Sequence, residues 1–160
     1  MKYDGPRRWI ISRTAVSNNN ARPERAAPER TDTNAVFGQA MTGVRARCEQ
    51  LATLINAHNV DGVEHTARDA ANMWLTGRAA CRRLIQRSAA SSPYADAARR
   101  LLEENYMILL ALFERATRTI DVPRMRRALR ELRGTLMAAM SHPLSGENVD
   151  TPARDHAKRP

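Results

Sequence analysis

The chain has 160 residues and a formal charge of +9 at pH 7. A single domain is expected at that length, large enough to bury roughly two thirds of its chain surface without staples. Two cysteines, Cys48 and Cys81, exclude a disulfide framework, and no stretch reaches the roughly 18–20 apolar residues of a membrane span.

The basic residues are 24 arginines and two lysines, Lys2 and Lys158. With abundant alanine, this fits a GC-rich coding sequence, so the choice of arginine over lysine is not itself a sign of phosphate contacts. The net charge is a better guide, because it favours anionic partners, above all nucleic acid.

Residues 1–33 read as an arm. Met1 to Arg8 leads into three bulky apolar residues, Trp9-Ile10-Ile11, too few for a secretory core, so the expectation is an intracellular protein, cytoplasmic or nuclear. Trp9 is expected to dock on the chain's own bundle or on a second copy. The polar stretch that follows, with Arg22-Pro23-Glu24-Arg25 and Ala27-Pro28-Glu29-Arg30, has the composition of a flexible linker.

A first helix is expected from about Asn34 to Ala57, with Phe37, Met41, Val44, Cys48, Leu51, Ile55 and His58 on one face and Asp32, Thr33 or Asn34 as cap. Asn59-Val60-Asp61-Gly62 reads as a tight turn. Asp61 and Glu64 then match a capping box for a second helix, whose stripe is Val63, Ala67, Ala70, Trp74, Gly77, Cys81 and Leu84. Ser92-Pro93 opens a third helix, to about Thr119, with Ala98, Leu101, Leu102, Asn105, Ile108, Leu109, Leu112, Phe113 and Ala116 as core positions. It holds the longest apolar run, Tyr106 to Phe113. A helix apolar on every side is one that other elements surround, which places this segment in the middle of the fold. Asp121 is expected to cap a fourth helix over about Val122 to Met140, with Met125, Leu129, Leu132, Leu136 and Met140 facing inward.

Short connections between four helices imply antiparallel neighbours. The expected fold class is therefore all-α: an antiparallel four-helix bundle over residues 34–141, a flexible N-terminal arm over 1–33 and a disordered C-terminal tail over 142–160. If the first two helices pair about the turn near residue 60, Cys48 and Cys81 lie about 15 Å apart along the axis, which excludes a disulfide between them. Leu75, Ile85, Met107 and Leu110 fall off the stripes. They are either half-buried edges or, with Trp9, contacts to a second copy or a partner.

Arg78, Arg82, Arg83 and Arg87 fill the second half of the second helix with no acid among them, and Arg99 and Arg100 open the third helix. Arg115, Arg118, Arg124, Arg126, Arg127, Arg130 and Arg133 gather around the next corner, diluted by Glu114, Asp121 and Glu131. Like charges repeated on one helix face repel, and phosphate binding is one reason to keep them; a solvated face with stems lying on the bundle is the plainer one. Arg78, Arg82, Arg83, Arg87, Arg99, Arg100, Arg126, Arg127 and Arg130 are the candidate nucleic-acid contacts. Few aromatics are free to stack, so backbone contact with a duplex is favoured over a single strand.

No nucleophile, phosphate loop or metal set stands out. His58 and His65 with Asp61 lack a further ligand, so no enzyme, cofactor or metal is expected. The reading is a non-enzymatic nucleic-acid-binding regulator, dimeric. Its rivals are a helical module that holds a partner helix or peptide, and a protein that attaches to anionic membranes.

Overall fold

The computed structural model describes residues 27–88 and 92–144, with side chains from Asp32 onward. These residues form four helices and, among them, no strand: α1 (Ala27–Asn56), α2 (Val60–Arg87), α3 (Pro93–Thr119) and α4 (Pro123–Ser141). The all-α bundle expected from the periodicity is what the chain adopts. Trp9, residues 1–26 of the arm and residues 145–160 of the tail lie outside the described residues. The chain divides into two compact units, Met1–Thr33 and Asn34–Pro160. In the first, the described backbone is the helical start of α1.

Apolar side chains at alternating three- and four-residue spacing build the core. Val44, Leu51 and Ile55 of α1 are fully buried, as are Val63, Ala67, Ala70, Trp74 and Cys81 of α2. Leu102 and Leu109 of α3 join them, with Met125 and Leu136 of α4. Small residues let α1 and α2 approach closely: a Cβ on Gly77 would collide with Met41 Cε and sit 3.2 Å from Ala40 Cβ. Trp74 fills the space toward α3, donating from Nε1 to the Leu102 carbonyl at 3.0 Å, with its ring 5.5 Å from that of Tyr106. Asn105 is buried, and its Nδ2 donates to the Leu101 carbonyl at 2.8 Å and reaches Met41 Sδ at 3.6 Å. Asn105, one of the core positions expected on α3, is thus tied both to its own helix and to α1.

Paired residues trace how the helices run. Leu54 lies beside Gly62, Arg47 pairs with Asp69 and Met73 lies beside Gly43, so numbers fall along α2 as they rise along α1. Met41 meets Asn105 and Asn56 meets Arg115, so numbers rise together along α1 and α3. They also rise together along α2 and α4, where Asp61 meets Arg124 and Arg78 meets His142.

Several local expectations are corrected. α1 begins at Ala27, so Asp32, Thr33 and Asn34 lie inside it rather than capping it. Pro28 falls in the first turn, where its missing N–H breaks no helical bond. Asn59, not Asp61, caps α2: its side chain accepts from Gly62 N at 2.9 Å. Val122, not Asp121, is the N-cap of α4 and makes no side-chain cap. Both aspartates are drawn instead into ion pairs, with Arg124 at 2.7 Å and Arg126 at 2.8 Å. His58 does not extend the α1 stripe; it is exposed, with φ of 54° in the turn.

The largest correction concerns Tyr106 to Phe113. Within it Leu109 and Phe113 are buried, but Met107 is 62 % exposed and Ile108, expected in the core, is 36 % exposed. α3 is one of four packed helices, not a central one, and the outer part of its apolar run faces solvent. Of the off-stripe residues, Leu75, Ile85 and Leu110 are half-buried against the core, and Met107 stands clear of it.

Candidate nucleic-acid interface

Helical spacing sorts the arginines into three environments. The first lies along the start of α2, where each acid has a cationic neighbour. Asp61 and Glu64 pair with Arg124 at 2.7 and 3.4 Å, Glu64 also approaches Arg68 at 3.8 Å, and Asp69 sits between Arg47 and His65. Charge here ties α2 to α1 and α4. It also occupies the residues that a metal would need: His65 is beside Asp69 at 3.5 Å, Asp61 is held by Arg124, and His58 Nδ1 lies 3.2 Å from the Asn56 carbonyl. Among the described residues, no three histidine, cysteine or acidic side chains are placed to share a metal ion.

The second environment is the α2–α3 corner. Arg82, Arg83, Arg87 and Arg100 are exposed there, and Arg78 and Arg99 are half-buried. Arg78 donates to the His142 carbonyl at 2.7 Å and so fastens the end of α4. Its pKa is lowered, first by desolvation and then by the like charge of Arg82. Arg99 and Arg78 both act on Cys81. Burial pushes that thiol from an ordinary 9.0 to about 11, against the opposing pull of the two guanidiniums. The structure therefore brings Arg78, Arg82 and Arg99 into one electrostatic neighbourhood. Arg82, Arg83, Arg99 and Arg100 make no ion pair among the described residues, whereas Arg87 has an interaction of its own. The end of α2 suits these cations in one structural respect, since carbonyls at a helix C-terminus favour positive charge.

The third environment is an open groove of about 660 Å³ between α3 and α4, lined by Glu114, Thr117, Arg118, Pro123, Arg126, Arg130 and Arg133. The spacing of 126, 130 and 133 puts three guanidiniums on one face of α4, and Arg118 enters from the end of α3. Glu114 holds Arg118 through an i,i+4 pair, and Asp121 holds Arg126, which also donates to the Ile120 carbonyl at 3.2 Å. Arg130 and Arg133 have no carboxylate partner among the described residues. The sequence singled out Arg126 and Arg130. The groove adds Arg118 and Arg133, and it leaves Arg127 exposed outside its lining. Arg133 shares the helical stripe of Arg126 and Arg130 although it was not among the candidate contacts, and the partnership with Arg118 depends on how α3 packs on α4.

Aromatic surface is scarce. Trp74 is buried and Tyr94 is 51 % exposed at the start of α3. Both cysteines are buried and free. Among the described residues no helix is long and apolar enough to cross a membrane. No family model matches the chain, and neither a curated protein nor a solved structure matches it.

Proposed function

We propose that the protein is a non-enzymatic, nucleic-acid-binding regulatory protein that contacts the phosphate backbone through arginines on its helical faces. The observation that carries this reading is a division among the arginines. Arg45, Arg47, Arg68, Arg118, Arg124 and Arg126 make ion pairs within the fold, while Arg82, Arg83, Arg99, Arg100, Arg127, Arg130 and Arg133 make none among the described residues. Guanidiniums left facing water without acids repel one another, and phosphates relieve that repulsion while releasing condensed counterions. With one exposed aromatic ring among the described residues, contact runs to the backbone rather than to stacked bases, and a duplex is favoured over a single strand. The test is a salt titration against duplex DNA, duplex RNA and single strands. Affinity should fall steeply with salt, with a slope set by the number of phosphates contacted. Salt-independent binding, or no binding at low salt, rejects the reading.

A second reading rests on Met107 and Ile108, adjacent and exposed on α3. It makes that face a contact for a second copy of the chain or for a partner helix. Sedimentation of the wild type and of Met107→Glu decides it: a monomer that carries no partner in both cases removes this reading.

A further inference from the structure

The α3–α4 groove sets four guanidiniums around one concavity, and carboxylates are already seated on half of them. We infer that it is a site for two units of phosphate charge, carried by one monoester or by two adjacent diesters, and that Glu114 and Asp121 compete with that phosphate for Arg118 and Arg126. This deepens the nucleic-acid reading and rests on it for the source of the phosphate.

Charge sets the class of ligand. Four guanidiniums line the groove, and the two carboxylates that pair with them leave a surplus of two positive charges. A phosphate monoester near −2, or two adjacent phosphodiesters at −1 each, neutralises that surplus. Geometry sets the mode. Arginine forks grip phosphate oxygens through paired N–H donors, and a concave site lets several forks converge on one group. The carboxylates set the strength. Side chains of Glu114, Arg118 and Asp121 are 51 %, 76 % and 85 % exposed, so their ion pairs are weak enough for a phosphate to displace. Arg130 and Arg133 supply the first contact, and Arg118 and Arg126 follow as they leave their acids.

The experiment measures binding of a short duplex with and without a 5′-phosphate, and its competition by inorganic phosphate. It uses the wild type, Glu114→Gln, Arg130→Ala/Arg133→Ala and Arg82→Glu/Arg83→Glu, with helical circular dichroism confirming each fold. Glu114→Gln should bind about threefold tighter, the double alanine variant about tenfold weaker, and competition by inorganic phosphate should vanish in the latter. A 5′-phosphate preference that disappears in the double alanine variant identifies a terminal monoester. Equal binding of both duplexes with the same variant effects identifies two adjacent diesters. If Glu114→Gln and the double alanine variant both bind like the wild type while Arg82→Glu/Arg83→Glu does not, the groove is not the site, although the protein still binds nucleic acid. If no duplex binds but inorganic phosphate does, through Arg130 and Arg133, the groove stands and the nucleic-acid reading falls.

Discussion

α2 is two helices in electrostatic terms. Three acids and one arginine precede Gly77, and four arginines with no acid follow it. In the first half, charge is structural: Asp61, Glu64 and Asp69 reach Arg124, Arg68 and Arg47 on α4, α2 and α1. In the second half Arg78 reaches the His142 carbonyl and Arg87 has an interaction of its own, whereas Arg82 and Arg83 make no ion pair among the described residues. The apolar stripe runs through both halves without a break, from Val63 to Leu84. The same packing thus supports two surfaces of different charge: every acid of the first half lies beside a cation, whereas Arg82 and Arg83 of the second make no ion pair among the described residues.

The comparison breaks most readily at Arg82 and Arg83. Reversing both to glutamate should weaken duplex binding by roughly tenfold or more and flatten its salt dependence by about two phosphate contacts, with little change in thermal stability. Equal binding by the variant in a filter or anisotropy assay ends the distinction between the halves.

The two thiols sharpen it. Burial holds Cys48 and Cys81 at about 11 against an ordinary 9.0, Glu49 adding to the rise at Cys48, and Arg99 and Arg78 opposing it at Cys81. A thiol whose folded pKa is raised supports the fold fully below its unfolded value and less as pH climbs to the folded one. Stability should therefore decline from about pH 9 to about pH 11, which denaturant titrations across that range will detect. Arg99→Gln should raise the Cys81 thiol further, slowing its alkylation while leaving Cys48 unchanged.

In the compensated half, Arg124→Ala removes the partner of both Asp61 and Glu64. Arg124 and Asp61 are largely solvent-facing, and Glu64, 22 % exposed, keeps Arg68 at 3.8 Å, so the loss should be about 1 kcal/mol, smaller at high salt, with nucleic-acid affinity retained. The smallest effect belongs to the turn between the halves of the α1–α2 hairpin. His58 holds a φ of 54°, and His58→Gly should leave stability level or raise it by up to about 1 kcal/mol in chemical denaturation.

The core was legible because its signal is local. Six apolar positions of α1 from Phe37 to Ile55, and all seven of α2 from Val63 to Leu84, are buried as their spacing implied. What spacing could not reveal was set by neighbours. Asp61 and Asp121 have the chemistry and position of caps, but arginines from elsewhere, Arg124, or a turn away, Arg126, claim them. The Tyr106–Phe113 run looked central because an apolar helix implies apolar surroundings. In a bundle of four, each helix meets neighbours over only part of its circumference, and Met107 and Ile108 fall on the remainder. The α3–α4 groove was half legible: the 126, 130, 133 stripe can be read directly, whereas Arg118 joins it only through tertiary packing.

Trp74 has a practical consequence. Its indole has no exposed surface, donates to the Leu102 carbonyl and lies 5.5 Å from the Tyr106 ring, four residues before Arg78. Its emission should be blue-shifted and fed by energy transfer from that tyrosine. The chain has two tryptophans, Trp9 and Trp74. With Trp9→Phe the protein becomes a single-tryptophan instrument, able to record in real time whether occupancy of the arginine corner is felt in the seam beneath it.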